Sequence, residues 1–492
     1  MKKQAFNPFL PLDTYIPDGE PHVFGDRVYL FGSHDKEAGE TYCMLDYMGW
    51  SAPIDDLSDW TCSGTIYSPK QDPRYSAQRP YLYAPDVVRG NDGKYYLYYC
   101  MAGAAGKGGY DGPIGVAVCD TPDGRYEYLG NVRNPDGSAF LENALFDPAV
   151  INDNGTIRLY YGASMILDLP ALPIGRAIYE KAVARAFSKT LDEVRTAPGI
   201  LGANTVELQD DMLTVKDHAK RILPGMSKGT SFEGHGFFEG ASIRKIGDVY
   251  YFIYSSQNGH ELCYATSKFP DKDFTYRGIL VSNGDIGLNG RKAKDRVSAT
   301  GNNHGSICKI GNQWYVFYHR QTHGSDYSRQ ACAEPITILP DGSIPQVEMT
   351  SCGLNGGPLP AEGEYPAVIC CNLTNGHMPQ NGNRISKRPQ PRIFGVDGER
   401  YIRDIDNGTW AGYKYFDFQN ISGVTLMLRG GGGKIAAYDA LGGTLLGSAA
   451  FSECRKWQPV SIPLRAPNGK NALFFRFETK KKVDFLKFSF ER

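Results

Sequence analysis

The stretch GDRVYLFGSHD, residues 25–35, combines a tight turn, an aromatic-rich strand and a polar stop, and the chain repeats this pattern four more times. The turn glycines of the five copies lie 62 to 92 residues apart. About 60 residues hold four short strands with their turns, so the copies predict the blades of a five-bladed β-propeller rather than a solenoid. The other copies are DGKYYLYYCMA (92–102), NGTIRLYYGAS (154–164), GDVYYFIYSSQ (247–257) and GNQWYVFYHRQ (311–321).

One position ahead of each turn carries a polar side chain in all five copies. Seven or eight residues before the turn glycines lie Asp18, Asp86, Asp147, Glu239 and His304. We expect this position to head the repeat strand and to face the central channel, where the first strand of each blade runs. A buried carboxylate is unfavourable unless it is paired or hydrogen-bonded, so acids in one register indicate a functional site. The alternative for each aspartate is a turn that opens a strand.

Composition excludes several classes of function. The 492-residue chain has a formal net charge of -1, which argues against nucleic-acid and membrane-surface binding. The N-terminus, MKKQAFNPFLPLDTY, lacks the apolar core of a signal peptide, and no apolar stretch nears the ~18 residues that span a bilayer. Eleven cysteines are scattered without metal-site spacing, so we expect reduced thiols in a cytoplasmic protein.

The repeat ends near residue 350, and a different all-β pattern follows it. We predict a propeller domain over residues 1–350, a Gly/Pro/Asn-rich linker over 351–369 and a jelly-roll-like β-sandwich over 370–492. The longest repeat interval contains residues 165–230, which are polar and irregular. We expect loops there on one face of the propeller, with a little helix in residues 184–197.

Three acids around a channel suit hydrolysis of a glycosidic bond. One carboxylic acid protonates the leaving oxygen, and one carboxylate deprotonates the attacking water on the other face of the sugar. In an inverting enzyme these two groups stand roughly 6.5–9.5 Å apart, so that the water fits between them. A third acid keeps the pKa of the proton donor high through like-charge repulsion.

The sequence GSHD (32–35) lacks the elbow motif that would support a nucleophilic serine.

Five motifs carry a resemblance to a known family and follow its order along residues 7–335. They are PDGEPHVFGDRVYLFGSHD, YAPDVVRGNDGKYYLYY, FDPAVINDNG, EGASIRKIGDVYYFIYS and TGNNHGSICKIGNQWYVFYHR. With them the sequence resembles glycoside hydrolase family 43, five-bladed propeller enzymes that act on furanosides and xylosides with inversion. The resemblance implies that Asp18 is the general base, that Asp147 modulates the pKa and orientation of the donor, and that Glu239 is the general acid.

Two of these assignments have rivals nearby in the chain. The family usually has Asp-Pro at the base, whereas Asp18 is followed here by GEP, so Glu20 is the alternative base. We prefer Asp18 because the HVF that follows then keeps the family spacing. Glu233 is the alternative acid, and we rank it below Glu239 because it lies outside the repeat register.

The resemblance also implies residues that bind substrate or metal. His304 corresponds to a histidine that faces a channel ion, commonly calcium, held mainly by waters. A nitrogen ligand is unusual for calcium, so a plain hydrogen-bonding histidine is the alternative. Arg329 resembles an arginine that contacts the sugar and the catalytic acids, with a surface charge as the alternative. Further candidates for the sugar pocket are Asp86, Phe24, His34 and Trp50.

The C-terminal domain resembles β-sandwich carbohydrate-binding modules of the family 6 type, chiefly through YIRDIDNGTWAGYKYFDF. That resemblance makes Trp410, Trp457 and Tyr413 candidates for stacking on sugar rings. The alternative, which we favour, is that these aromatic side chains lie in the core or at a contact between the domains.

Together, the residues and the resemblance predict an inverting exo-glycosidase without an organic cofactor. Its expected substrate is a small oligosaccharide from which it removes a terminal α-L-arabinofuranosyl or β-D-xylosyl residue. One alternative is a β-galactofuranosidase or exo-galactanase on the same scaffold, because one pocket substitution can decide between such sugars. The other alternative is a non-catalytic propeller that binds sugar.

Overall fold

The five repeat copies form the second strands of five antiparallel sheets, and the first strands of neighbouring sheets contact one another in a closed ring. This arrangement is the predicted five-bladed propeller. The inner strand is therefore the one before each turn, and the expectation that the repeat strand itself faces the channel is wrong. The computed structural model describes residues 5–165, 173–196, 198–323, 325–380, 390–396 and 398–492.

The first three blades have four strands each, in simple up-and-down order. Their second strands are buried over almost their whole length, because they lie between neighbouring blades and pack apolar side chains on both faces. The strands are β1 Glu20–Phe24, β2 Arg27–Phe31, β3 Tyr47–Pro53 and β4 Thr61–Tyr67; β5 Tyr81–Arg89, β6 Tyr95–Ala102, β7 Gly115–Cys119 and β8 Glu127–Asn131; and β9 Ala149–Asp153, β10 Thr156–Ala163, β11 Gly202–Leu208 and β12 Lys220–Pro224.

The fourth blade again has four strands, but the fifth has three instead of the expected four. The N-terminal segment covers the outer strand of the fifth blade: Phe9 N–H donates to the Ala331 carbonyl oxygen, and the buried Asn7 side chain bonds both backbone groups of Ala333. The two ends of the propeller are thereby joined. The strands are β13 Phe237–Ile246, β14 Val249–Ser256, β15 Glu261–Ser267 and β16 Thr275–Ser282, then β17 Ser306–Ile310, β18 Gln313–Gln321 and β19 Arg329–Ile336.

The long interval in the third blade differs from the expected loops. It contains two helices, α1 Pro173–Ala186 and α2 Leu191–Arg195, and both outer strands of the blade, β11 and β12. Within the predicted helical stretch 184–197, α2 begins with a capping box in which Thr190 and Glu193 bond each other's backbone N–H groups. The structure describes no helix long and apolar enough to cross a membrane.

The C-terminal domain is a β-sandwich of two six-stranded sheets around one apolar core. Its sheets already include β20 and β21, so much of the predicted linker 351–369 belongs to the sandwich, and the predicted start at residue 370 is too late. Its strands are β20 Leu359–Pro360, β21 Glu364–Pro366, β22 Asn372–Thr374, β23 Arg392–Val396, β24 Glu399–Ile405, β25 Trp410–Phe418, β26 Gly423–Gly430, β27 Gly433–Tyr438, β28 Leu445–Phe451, β29 Cys454–Pro463, β30 Gly469–Thr479 and β31 Val483–Glu491.

Candidate active site

A cavity of about 340 Å³ opens at the end of the channel where the inner strands begin. It contains four of the five residues from the repeated polar position: Asp18, Asp147, Glu239 and His304. Aromatic side chains surround these polar groups, as expected for a pocket that holds a sugar ring. The aromatic lining residues are Tyr42, Tyr83, Tyr110, Phe146 and Phe238.

Two of the acids stand on strained backbone. Asp18 has φ 57° and Asp147 has φ 44°, a left-handed conformation that non-glycine residues seldom adopt. Each of them lies two residues before an inner strand, β1 or β9, so the strain turns the chain at the mouth of the channel. Residues held in such conformations cluster at functional sites, where the surrounding structure keeps them in place.

Glu239 reaches the cavity through a local irregularity of β13. The pairing of β13 with β14 shifts register on both sides of Glu239, which indicates a bulge that aims this side chain at the channel. Gly240 then has φ 72°, and its N–H donates to Asp147 Oδ2 at 3.0 Å. A Cβ atom at Gly240 would lie 3.0 Å from the His304 ring, so glycine leaves room for that histidine.

Arg329 is the central cation of the cavity and is 2% exposed, so the alternative of a surface charge is wrong. Its Nη1 donates to Asp18 Oδ1 at 2.8 Å. Its Nε and Nη2 form a two-pronged pair with Asp35, at 2.8 Å and 3.0 Å. The ring of Tyr42 packs on the guanidinium at 4.7 Å. Asp35 and Tyr42 therefore fix the cation that holds Asp18.

His319 supports Asp18 from a second side. The Asp18 backbone N–H donates to His319 Nδ1 at 3.2 Å, so Nδ1 acts as an acceptor. His319 Nε2 lies 2.9 Å from the Asn302 carbonyl oxygen, which can only accept. This pattern assigns the ring proton to Nε2 and fixes the orientation of the imidazole.

The charges around Asp18 favour its ionised form. Burial alone raises the pKa of this carboxyl, but the positive charge of the Arg329 guanidinium opposes burial, and the pKa lies well below its usual range. Asp18 is consequently a carboxylate near neutral pH. A carboxylate that faces a sugar pocket is suited to take a proton from water.

The pKa values of Glu239 and Asp147 shift upward, opposite to the pKa of Asp18. Burial, followed by repulsion from Asp18, raises the pKa of Glu239 to about 7, although a hydrogen bond from Asn302 lowers it somewhat. Burial and repulsion from Glu239 and Asp18 raise the pKa of Asp147 well above its ordinary value. Near neutral pH the pocket therefore combines an ionised acceptor with a proton donor.

The structure distinguishes each preferred acid from its alternative, Asp18 from Glu20 and Glu239 from Glu233. Glu20 is 1% exposed and does not line the cavity; Arg244 Nη2 donates to its Oε2 at 2.8 Å, deeper in the channel. Glu233 lies on the surface, where it accepts from the Gly229 N–H.

Four predicted substrate contacts lie away from the described lining of the cavity. Asp86 is fully buried and bonds His22 Nε2 and the Val150 N–H. Phe24 packs on Tyr95. The other two are His34, whose Nδ1 bonds the Asp46 carbonyl oxygen, and Trp50, which lies in an apolar cluster between β2 and β19. The repeat pattern could not distinguish these core and channel positions from pocket positions.

The side chains around His304 supply few ligands for calcium, so the predicted ion would be held mainly by waters. Its Nδ1 lies 3.6 Å from Asp18 Oδ1 and 3.8 Å from Asp147 Oδ2, and burial lowers its pKa to about 4. Calcium takes six to eight oxygen ligands, whereas this set offers a nitrogen and two carboxylates already engaged in the acid–base site. Among the described residues, the two groupings close enough to share an ion are Glu20–His22–Asp86 and His235–Glu261–Cys263, and His304 belongs to neither.

Several site residues were missed by the sequence reasoning. Asp35, Tyr42, His319 and Asn302 all act on the predicted acids or on Arg329. A signal existed for two of them, since Asp35 and His319 are the polar stops that end the first and fifth repeat strands. The function of a polar stop becomes visible only when the ends of these strands are brought together.

Comparison with known proteins agrees with this geometry. Residues 7–344 match the family described as Glycosyl hydrolases family 43. The chain belongs to this family. A "Xylosidase/arabinosidase" from Thermoclostridium stercorarium is 43% identical over 493 residues, which is 97% of each chain. This family 43 protein is thus a glycoside hydrolase.

Solved structures show the same architecture. A family 43 β-xylosidase/α-arabinofuranosidase from a compost microbial metagenome, in complex with xylotriose and described as a calcium-free form, is 26% identical with a TM-score of 0.53, covering 70% of this chain and 98% of its own. An arabinoxylan arabinofuranohydrolase from Bacillus subtilis, in complex with cellotetraose, is 22% identical with a TM-score of 0.50. The match covers 99% of this chain and 97% of the arabinofuranohydrolase. Because the Bacillus subtilis structure matches almost the whole chain, the shared fold includes the C-terminal sandwich.

The candidate aromatic residues of the sandwich are fully or partly covered. Tyr413 is fully buried in the sandwich core. Guanidinium groups lie over the rings of the other two candidates: Arg429 is 4.2 Å from the Trp457 ring centre, and Arg476 is 5.7 Å from that of Trp410. One face of each indole is therefore already occupied.

Proposed function

We propose that this family 43 enzyme is an inverting exo-glycosidase that removes terminal β-D-xylosyl or α-L-arabinofuranosyl residues from short oligosaccharides. The observation that carries the proposal is that two acids line one sugar-sized pocket, buried Asp18 and partly exposed Glu239, and that their pKa values shift in opposite directions. Asp18 is held as a carboxylate by Arg329, while Glu239 keeps a proton near neutral pH. An inverting hydrolase needs these two protonation states at the same time.

In the proposed reaction, water attacks the anomeric carbon in a single displacement. Asp18 takes one proton of the attacking water, the new C–O bond forms, and the bond to the leaving oxygen breaks. Glu239 gives its proton to that oxygen, so the released sugar has the inverted anomeric configuration. Asp18 keeps the proton on Glu239 by repulsion, and Asp147, held by the Gly240 N–H, completes the group of three acids with a pKa that burial and its acidic neighbours raise.

The choice of sugar rests on the relatives. The protein from Thermoclostridium stercorarium, with matching length, is named a xylosidase/arabinosidase. The compost structure is named a β-xylosidase/α-arabinofuranosidase. Both names fit a pocket lined by five aromatic rings and one arginine, which offers apolar faces and a few directed donors to a pentose. We propose that the sandwich braces the propeller, because the described surfaces of its tryptophans are partly covered.

Neutral variants of the two acids test the mechanism. We expect Asp18→Asn and Glu239→Gln each to lower kcat on a short oligosaccharide such as xylobiose by roughly 10³-fold or more, since each removes a proton-transfer group and a sugar leaving group needs the proton of Glu239. Glu233→Gln is the matched control and should keep full activity. Circular dichroism should show that all three variants are folded. Activity of Asp18→Asn near the wild-type level would refute the assignment of the base.

A panel of aryl pentosides and hexofuranosides identifies the sugar. Proton NMR of the first product anomer then reports the stereochemistry in the same reaction. We expect release of xylose or arabinose with inversion. Release of galactose instead would support the galactofuranosidase or galactanase alternative, and sugar binding without any hydrolysis would support a non-catalytic propeller.

A further inference from the structure

One wall of the active-site cavity comes from the C-terminal part of the chain. Gln380 is among the residues that line the cavity, although it lies beyond the last propeller strand, β19, and after the sandwich strand β22. Every other described lining residue lies between residues 18 and 329, within the propeller. The sandwich domain therefore sends a segment to the mouth of the propeller channel.

This segment is attached at both of its ends. At its start, β22 pairs with β25 in the sandwich, and Leu373 N–H donates to the Val297 carbonyl oxygen of the propeller at 2.8 Å. At its end, the fully buried Thr300 donates its N–H to the Pro379 carbonyl oxygen at 3.1 Å. Two-point attachment fixes the position of the residue that follows, Gln380.

The side chain of Gln380 still has hydrogen-bonding capacity. Its Nε2 donates to the Asn258 carbonyl oxygen at 3.4 Å, across the rim of the cavity. An amide group has two N–H donors and a carbonyl acceptor. Within the described contacts, one N–H is thus engaged, and the second N–H and the carbonyl oxygen remain for a ligand. The residue is exposed, so a ligand can reach it.

The position of Gln380 also indicates which part of a substrate it meets. Asn258, Gly259 and Asn302 line the cavity beside it, and Asn302 bonds the proposed general acid Glu239. A general acid must contact the oxygen of the leaving group, so residues on its flank face the leaving sugar. Gln380 is exposed at the rim of the pocket, and in an exo-acting pocket the leaving sugar extends toward that rim.

We propose that Gln380 binds a hydroxyl group of the leaving-group sugar, so that the sandwich segment 372–380 completes the acceptor side of the pocket. The inference rests on the proposed function, because it uses the role of Glu239 to orient the substrate. It makes Gln380 a substrate-binding residue that selects sugar over non-sugar leaving groups and takes no part in proton transfer.

Two substrates with the same transferred sugar test the proposal. Xylobiose has a leaving sugar with hydroxyl groups, whereas 4-nitrophenyl β-D-xylopyranoside has an aryl group without them. For Gln380→Ala we expect kcat/KM on xylobiose to fall roughly three- to tenfold, the value of one net hydrogen bond, and kcat/KM on the aryl xyloside to change less than about twofold. If arabinofuranose is the preferred sugar, an arabinofuranosyl oligosaccharide and the aryl arabinofuranoside replace this pair.

Gln419→Ala is the matched control, since Gln419 is an exposed glutamine of the sandwich that bonds Asp417 and does not line the cavity. Gln419→Ala should leave kcat/KM on both substrates unchanged. An equal loss on both substrates, or no loss on xylobiose, would overturn the role of Gln380. The proposed function fails separately, when the wild-type enzyme hydrolyses neither substrate. Equal melting temperatures of wild type and Gln380→Ala would exclude a general loss of structure.

Discussion

At the scale of single residues, Asp18 and Glu239 are carboxyls in one pocket whose neighbours push their pKa values in opposite directions. Burial raises the pKa of both carboxyls, but only Asp18 accepts a hydrogen bond from a guanidinium, that of Arg329 at 2.8 Å. Glu239 instead faces the charge of Asp18. The single arginine thus decides which acid gives a proton and which takes one.

This division predicts the pH dependence of the enzyme. Glu239 must be protonated, and its pKa is raised to about 7, so activity is present below this pH and is lost as pH rises through it. The pKa of Asp18 is depressed well below its usual range, so the base stays ionised through the acidic range. We expect kcat/KM on an oligosaccharide, whose sugar leaving group must be protonated, to be level below pH 6 and to fall above about pH 7.

Removal of the Asn302 side chain should move this alkaline limb. The hydrogen bond from Asn302 lowers the pKa of Glu239, so Asn302→Ala should shift the limb to higher pH. Asn91→Ala, on the exposed turn of the second blade, is the control and should leave the profile unchanged. A limb that moves to lower pH, or stays in place, would contradict Glu239 as its origin.

Asp35 is expected to act on catalysis without touching the reacting atoms. Asp35→Asn removes the charge that holds Arg329 in a two-pronged pair, so the guanidinium loses its fixed position beside Asp18. We expect kcat to fall about 10- to 100-fold, in line with a misplaced group in a preorganised site. Glu37→Gln, in the same loop, weakens a partly buried pair with Arg400 away from the cavity lining and should change kcat less than about twofold. Single-turnover kinetics below the melting temperature measures the effect.

How far the sequence leads differs between these residues. The acids share one repeat position, so five copies of one pattern predict their convergence. The pair of Arg329 and Asp35 joins positions at opposite ends of the propeller, and a single chain gives no signal for that contact. Trp50 and Phe24 are predicted for the pocket but lie outside it, because position along the chain does not tell which face of a blade a residue occupies.

At the scale of elements, the inner strands begin in unusual conformations that aim the acids. Gly240→Ala tests this arrangement. The substitution puts a Cβ on backbone with φ 72° and within 3.0 Å of the His304 ring, next to the N–H that holds Asp147. We expect a loss of roughly 1–3 kcal/mol in the free energy of unfolding and at least about a tenfold loss of kcat, from strain and a displaced acid.

Gly311→Ala is the matched control for that experiment. Gly311 has φ 58° in the turn of the fifth blade, and a Cβ there meets no atom within 4 Å. Only the backbone strain remains, so we expect about 1 kcal/mol of destabilisation and unchanged kcat. Urea denaturation and kinetics on the same samples separate the two effects. If both variants lost activity equally, the contact with His304 would have no special role.

Element prediction succeeded where the pattern was periodic and failed where it was local. The aromatic repeat strands were found because they are buried on both faces. The outer strands β11 and β12 were missed because their sequences lie within a polar interval that also contains α1 and α2. The short strands β20 and β21 were assigned to a linker because proline and glycine surround them, although they complete the sandwich sheets.

At the scale of the whole molecule, the two domains are joined by a buried charge cluster. Lys414 on β25 of the sandwich bonds Asp285 of the propeller and Glu348, each at 2.9 Å. Lys414 is 6% and Asp285 4% exposed. The Asp285 carboxylate also accepts a hydrogen bond from the Asn372 side chain, which lies at the start of the segment that leads to Gln380. The position of the pocket wall thus depends on this cluster.

Lys414→Met should destabilise the whole protein and loosen that wall. Methionine keeps the volume of the side chain but leaves Asp285 as a buried carboxylate without its cation, a change that costs about 3–5 kcal/mol in the free energy of unfolding. Lys482→Met breaks a half-exposed pair with Asp404 and should cost at most about 1 kcal/mol. Calorimetry should show one transition for the wild type and a lower, split transition for Lys414→Met. A single unshifted transition in Lys414→Met would mean that the domains hold together without this cluster.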